Sequence, residues 1–394
     1  MKNKKILIIS PFCPCSPSIA GSNGGSPYWI IKNSKNCTID LLYINEKNIN
    51  YENDILKYCN TVNSVNFNKE EKTFKQFTFG ILKGIPKICY KYNSKKYFNY
   101  IKENYFIDSY DNILVVSNEL SGLIKFFDKT KVVFFPIDSF SLWYYRKSKI
   151  EKNILKKTYY YLQYKLFIKY EKKQIIDNTN RIVYVSEIDR KFEKEKLKTK
   201  NIYAITHGVE IPQNYEDNLY DTKSFNLVFS GQMSYEPNND AVLYFIDNIF
   251  DRVKKYIPEL KLYIVGKNPS EELQQKKNED IVITGFVENI YSYIASGDVY
   301  ISPLRFGTGV KNKILEAMSC KMAIIASHVS IEGIDNIKEN VNYLEANSEE
   351  EWISNIKKLY NNRRIIENMK KTNYETVLKY FSWENTLIEL MGWK

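Results

Sequence analysis

The sequence predicts an α/β protein built from two doubly wound, Rossmann-like domains that face each other across a cleft. Three observations carry this. Short apolar runs recur along the chain, and many are apolar at every position, as parallel strands buried on both faces are. Helix-like stretches separate the runs, which is the alternation of a parallel sheet with crossover helices. A polar, proline-containing stretch at 208–225, "GVEIPQNYEDNLYDTKSF", divides the runs into two series. The break near residue 215 gives expected domains at 1–212 and 213–394. A chain of 394 residues is long enough to give each its own core.

The elements follow in order. The first series comprises "KILIIS" at 5–10, "CTIDLLYI" at 37–44, "NILVVS" at 112–117, "KVVFFP" at 131–136 and "RIVYVS" at 181–186. The start, "MKNKKILIISPF", is basic, but its apolar run is too short for a secretion signal and reads as a first strand. The segment 152–176, "KNILKKTYYYLQYKLFIKYEKKQII", repeats apolar and aromatic residues at three- and four-residue steps and reads as a basic helix. The second series comprises "FNLVFSG" at 225–231, "LKLYIVG" at 260–266, "DIVITG" at 280–285, "DVYISP" at 298–303 and "MAIIAS" at 322–327. Helical patterns fall at 239–257 and 312–320. No short internal repeat is present, although the two halves repeat one architecture.

Composition narrows the function. No stretch approaches the roughly 18 consecutive apolar residues of a membrane-spanning helix. Six cysteines without regular spacing fit reduced thiols in the cytosol. "CPC" at 13–15 lacks the histidine or second cysteine pair that would complete a metal site, so no metal is expected. Charge is split between the halves. Residues 1–212 carry 36 Lys and Arg against 20 Asp and Glu, and residues 213–394 carry 21 against 26. A basic, tyrosine-rich half suits an anionic membrane face or an anionic glycan. Nucleic acid is the weakest of the candidate partners and is not expected, because no binding motif accompanies the charge. The 152–176 helix has two readings, an ordinary helix with a solvated lysine face and a membrane- or acceptor-facing helix.

The stretch most dense in chemistry is "SPLRFGTGVKNKILEAMSC" at 302–320. Pro303 ends a strand ladder, a loop follows, and a helix begins at the C-terminal sheet edge, where open α/β sheets bind ligands. Gly307 and Gly309 let backbone amides approach a ligand without Cβ obstruction. The first helical turn offers orphan N–H groups and a partial positive charge. Arg305, Lys311 and Lys313 add full charges, so the loop reads as a phosphate cradle. Glu316, deeper in the helix, suits hydroxyl groups, as acidic residues do for a ribose.

With its flanks, this stretch resembles the group 1 glycosyltransferases of family 4, which have the GT-B fold. "FSGQMSYEPNNDAVLYF", with Gly231 after its strand, is similar to the opening of the family's C-terminal domain, and "VITGFVENI" to its base-contacting loop. "VSEIDR" and "HGVE" resemble the end of the N-terminal domain, and "FSWENTL" the C-terminal helix, which returns toward that domain. Over residues 1–180 the likeness is loose; only the first strand and the glycine loop "AGSNGGSPYW" match comfortably.

The resemblance implies metal-independent transfer of a sugar, with retention, and no cofactor beyond the nucleotide-sugar co-substrate, UDP- or GDP-linked. The implied acceptor is a cell-surface polysaccharide, lipopolysaccharide or lipid-linked glycan. The implied place is the cytoplasm or the inner face of the membrane. It puts the ribose-binding glutamate on Glu316 and the usual second glutamate on Thr308, a departure that leaves the sugar open. It puts the phosphate-binding amides on Val310 and Lys311, base contacts on Phe286 and Val287, and the N-terminal glycine loop on Gly24 and Gly25. The family's Arg and Lys after the first C-terminal strand are missing from "GQMSYEPNND", so either Arg305, Lys311 or Lys313 neutralises the diphosphate or the phosphates rely on backbone amides. Asp138 stands where the family often has a catalytic His, and its other reading is a helix cap. His207 reads as a turn residue near the hinge, and His328 as a strand-end residue within reach of the donor. Two rivals remain: a nucleotide-sugar 2-epimerase, disfavoured by the few histidines, and a non-catalytic nucleotide-sugar-binding subunit.

Overall fold

The computed structural model describes residues 3–15, 22–45, 55–66, 84–90, 95–205, 208–307, 310–381, 383 and 386–393. The chain divides into two units, Met1–Thr206 with Trp383–Lys394, and His207–Ser382.

The first unit is built on strands β1 (Lys4–Ser10), β2 (Cys37–Asn45), β3 (Thr61–Asn66), β4 (Asn112–Val116), β5 (Val132–Ile137), β6 (Arg181–Tyr184) and β7 (Ile202–Ala204). They form one sheet in the order β3-β2-β1-β4-β5-β6-β7, with every pair parallel. Ile6, Leu7, Ile8 and Ile9 are all buried, which is why β1 is apolar without alternation. The helices used below are α1 (Ser22–Lys32), α2 (Phe140–Ile150), α3 (Ile154–Tyr170) and α4 (Glu187–Leu197). Asn153 caps α3 by accepting from the Leu155 and Lys156 amides, and Ser139 caps α2 by accepting from the Leu142 amide.

The second unit has strands β8 (Phe225–Ser230), β9 (Leu260–Val265), β10 (Ile281–Gly285), β11 (Val299–Ser302), β12 (Ala323–Ala326) and β13 (Leu344–Glu345). Their order is β10-β9-β8-β11-β12-β13, again parallel throughout. Helices α5 (Glu236–Phe245), α6 (Asn312–Ser319) and α7 (Arg363–Tyr380) flank it. Both sheets are therefore doubly wound, with the order reversing between β1 and β4 and between β8 and β11.

The division falls at 206/207 rather than at the expected 212/213, and the chain after residue 382, counted in the expected 213–394, belongs to the first unit, as the expected return of the C-terminal helix toward that domain requires. Helix α8 (Thr386–Met391) buries Leu387, Leu390 and Met391 against the same cluster as Ile6, Trp29 and Val183. The Trp393 indole donates to Asn112 Oδ1 at 3.0 Å. An apolar helix face goes where apolar surface is available to cover it, whatever its place in the sequence.

Candidate functional site

The reversal point of the second sheet lies between the C-terminal ends of β8 and β11. Each of β8, β9 and β10 closes on a glycine, Gly231, Gly266 or Gly285. A Cβ on Gly266 would stand 1.9 Å from the Gly231 carbonyl oxygen, and Gly266 has φ +143°. Only a residue without a side chain lets the two strand ends approach this closely. At Gly231, with φ +153°, a Cβ would stand 2.7 Å from Asn238 Nδ2 and 3.0 Å from the Lys313 ammonium. The turn after β8 is thus a backbone surface with a cation against it.

That cation is positioned from three sides. Lys313 Nζ donates to Asn238 Oδ1 at 2.6 Å and lies 4.1 Å from the Phe229 ring centroid. Asn238 is fixed in turn by donating to the Gln232 carbonyl at 2.9 Å. Burial, aided by the nearby Lys311 charge, pulls the Lys313 pKa down to about 7, while Glu316 acts in the other direction. Glu316 follows Lys313 by three residues, so α6 presents both on one face. Burial raises the Glu316 carboxyl above its ordinary range, Lys313 opposes the shift and Glu210 adds to it. Among the described residues no donor reaches the Glu316 carboxylate with a hydrogen bond. Tyr291 donates to Glu210 Oε2 at 3.0 Å close by. The loop before α6 is pinned to the end of β12, where Ser327 Oγ donates to the Leu304 carbonyl and Ser330 Oγ to that of Ser302, both at 2.6 Å. Chemically, the edge offers an ammonium beside exposed backbone, for an anion, and an open carboxylate one helical turn on, for hydroxyls.

The sequence-derived residues fall as follows. Lys311 is buried as the residue before α6, packed against Gly307, where a Cβ would lie 3.5 Å from Lys311 Cε. Val310 packs on the apolar cluster beneath, as does Val287, whereas Phe286 is exposed. Arg305 is not a free cation. Its guanidinium forks onto Asp240, with Nε at 2.8 Å, and lies over Tyr244, so most of its charge is already matched. His328 is exposed on the far side of β12, with Nδ1 3.4 Å from Glu345. Gly24 and Gly25 lie in the first turn of α1 rather than in a loop, and Pro27 follows inside the helix, where it removes one i→i−4 hydrogen bond. Thr308, Gly309 and His207 lie outside the described residues.

In the first unit Asp138 directly follows β5 and is half-buried; the helix cap is its neighbour Ser139. Ile137 just before it has φ +73°, and Ser117 at the end of β4 has φ +72°. A β-branched residue in that region is an outlier, and such strain collects at functional positions.

Sequence reasoning missed Asn238, Glu210 and Tyr291. The signal for Asn238 was the missing Arg and Lys in "GQMSYEPNND", since a lysine from another element needs a polar anchor there.

Residues 224–362 match the family described as glycosyl transferases group 1. An uncharacterized 44.6 kDa protein in the cps region of Klebsiella pneumoniae is 28% identical over 192 residues, which are 46% of this chain and 48% of that protein. An uncharacterized glycosyltransferase of Methanocaldococcus jannaschii is 27% identical over 240 residues, 55% of this chain and 58% of its own. The chain thus matches about half the length of these curated relatives. Sucrose-phosphate synthase from Thermosynechococcus elongatus superposes with a TM-score of 0.67 at 15% identity, covering 99% of this chain and 98% of that one. WaaG, a glycosyltransferase involved in lipopolysaccharide biosynthesis, gives 0.65 at 9% identity, covering 98% of both. The fold is GT-B.

Proposed function

We propose that this chain, whose residues 224–362 form a group 1 glycosyltransferase domain, moves a sugar from a UDP- or GDP-sugar to a cell-envelope glycan or lipid-linked acceptor. The observation that carries the reading is the pair on α6: Lys313 seated in the glycine turn, and Glu316 with its carboxylate open. A diphosphate on the turn and a ribose on the carboxylate belong to one nucleotide. Lys313 supplies the positive charge that the segment after β8 lacks, so the site does not need the family's usual Arg and Lys. This favours the enzyme over the non-catalytic subunit. The acceptor class draws on the WaaG and cps-region likenesses, and the cytoplasmic side of the membrane is where such acceptors meet nucleotide-sugars.

In the proposed reaction the sugar–phosphate bond breaks with negative charge developing on the diphosphate. The groups proposed to receive it, without a metal, are Lys313, the Val310 and Lys311 amides and the first turn of α6. Asp138 is the proposed polarising group of the first unit, and anomeric retention is expected. The test is turnover of mass-tagged UDP- and GDP-sugars with a lipid-linked glycan acceptor, followed by mass spectrometry of the product. Transfer supports the reading. A donor that raises the melting temperature but is never turned over refutes it in favour of the non-catalytic subunit.

A further inference from the structure

We propose that the α2–α3 corner of the first unit docks on the surface of an anionic lipid bilayer, with the start of α3 entering the headgroup region. Helix α3 is anchored mainly by its second half, with Tyr160 of the first half packed on Trp143 and Tyr144 of α2. Phe167 and Tyr170 are buried in the first unit's core, and Tyr164 is buried as well. Its first half has almost no cover: apart from half-buried Tyr160, every residue from 152 to 162 is exposed. That exposed surface is strongly apolar. Ile154, Leu155 and Leu162 are 71%, 78% and 59% exposed, and Ile150 at the end of α2 is exposed beside them. Scattered exposed aliphatics are normal, but a cluster on one protruding corner marks an interaction surface.

The charge around the cluster selects the occupant. Lys149, Lys152, Lys156 and Lys157 are all exposed, and the first turn of α3 contains no acid. Glu151 is the one acid of the corner, and its carboxylate accepts the Asn153 amide at 3.0 Å. Lysines at a helix N-terminus oppose the helix dipole, an arrangement that an approaching anion relieves. A depression of about 280 Å³ at the corner is lined by Ser148, Lys149, Ile154, Lys157, Thr158 and Tyr161. It presents the ammonium groups of Lys149 and Lys157, donors that fit a headgroup phosphate, next to the side chains that would enter the acyl boundary, while the Ser148 and Thr158 hydroxyls donate to the Tyr145 and Ile154 carbonyls. Lysine heads beside exposed aliphatic side chains combine electrostatic and apolar attraction to an anionic bilayer surface. The inference uses no residue of the donor site and stands apart from the reaction proposed above.

The test is co-sedimentation of the full chain with phosphatidylcholine vesicles, and with the same vesicles carrying phosphatidylglycerol. Each lysine at an anionic surface contributes about fivefold to partitioning, equivalent to about 1 kcal/mol. Wild type should pellet with the phosphatidylglycerol vesicles in about 0.1 M salt. It should be released in about 1 M salt, where the Debye length falls from about 10 Å to about 3 Å. Changing Lys152, Lys156 and Lys157 together to Gln should cost about a hundredfold in partitioning. Ile154→Ser with Leu155→Ser should weaken binding to the same vesicles at low salt. All five side chains are solvent-exposed, so circular dichroism and the melting temperature should match wild type. Wild type that stays in the supernatant, equal binding to both vesicle types, or a triple Gln variant that binds undiminished would each overturn the proposal. So would a dimer in solution that Ile154→Ser with Leu155→Ser dissolves, since the corner would then be a self-association surface.

Discussion

Binding of a nucleoside diphosphate should draw a proton onto Lys313. In the free protein burial holds this ammonium near a pKa of about 7. At pH 8 such a group is roughly nine-tenths deprotonated. A diphosphate on the Gly231 turn brings negative charge to the ammonium and lifts its pKa back toward the ordinary lysine value of about 10.4. Binding at pH 8 should therefore take up close to one proton, and binding at pH 6 almost none. Affinity should fall by up to about tenfold per pH unit above pH 7, because the deprotonated form must be recharged. The free protein should show the opposite trend. A lysine with a depressed folded-state pKa binds fewer protons folded than unfolded between pH 7 and about pH 10, so its contribution to stability rises with pH there. The assay is isothermal titration calorimetry of uridine and guanosine diphosphates at pH 8, in buffers of different ionisation enthalpy. The slope of observed against buffer enthalpy is the number of protons taken up. Wild type should give a slope near one and Lys313→Met a slope near zero. A wild-type slope near zero, or one unchanged in Lys313→Met, would refute the placement of the phosphates on this lysine.

Other expected outcomes follow from the same geometry. Glu316→Ala should lower kcat/KM at least tenfold, since hydrogen bonds to a charged group contribute about 1.5–3 kcal/mol each; it should weaken nucleoside binding and spare pyrophosphate, and equal losses for the two would contradict the ribose assignment. Gly266→Ala should cost more than about 1 kcal/mol and lower the melting temperature, because its Cβ meets a backbone oxygen 1.9 Å away; an unchanged melting temperature would show that the turn yields freely. In the first unit Glu193 and Glu171 are buried together, with Ser139 and Ser141 donating to Glu193 Oε1 and Asp189 and Tyr184 nearby. Burial pushes Glu193 up to about 7 and holds Glu171 well above its ordinary value. A carboxyl whose pKa is raised on folding gives its full stability below its unfolded value and loses it as pH climbs through the folded one. Stability should therefore decline as pH rises from about 4.5 through 7. Melting curves of wild type and Glu171→Gln across that range check it, and the variant should show the shallower decline.

The sequence by itself determined the two parallel sheets. Strands such as "KILIIS" and "FNLVFSG" are buried on both faces, so each position reports the same environment and the run is unmistakable. The loop before α6 and Glu316 were also legible as a candidate site, because glycine, lysine and helix start are local features. The strands it missed, "TVNSVN" (β3), "IYA" (β7) and "LE" (β13), lie at sheet edges, where one side faces solvent and a short or polar strand suffices. The tertiary structure alone decided which charges are available. Arg305, Lys311 and Lys313 are equivalent cations in the sequence, but Asp240 occupies Arg305, Lys311 is packed beneath the loop, and only Lys313 reaches the glycine turn. It alone decided which apolar residues of the first unit the returning C-terminal helix covers. Periodicity records that a face is apolar; which partner covers it, and which charge meets which, depends on contacts between residues far apart in the chain.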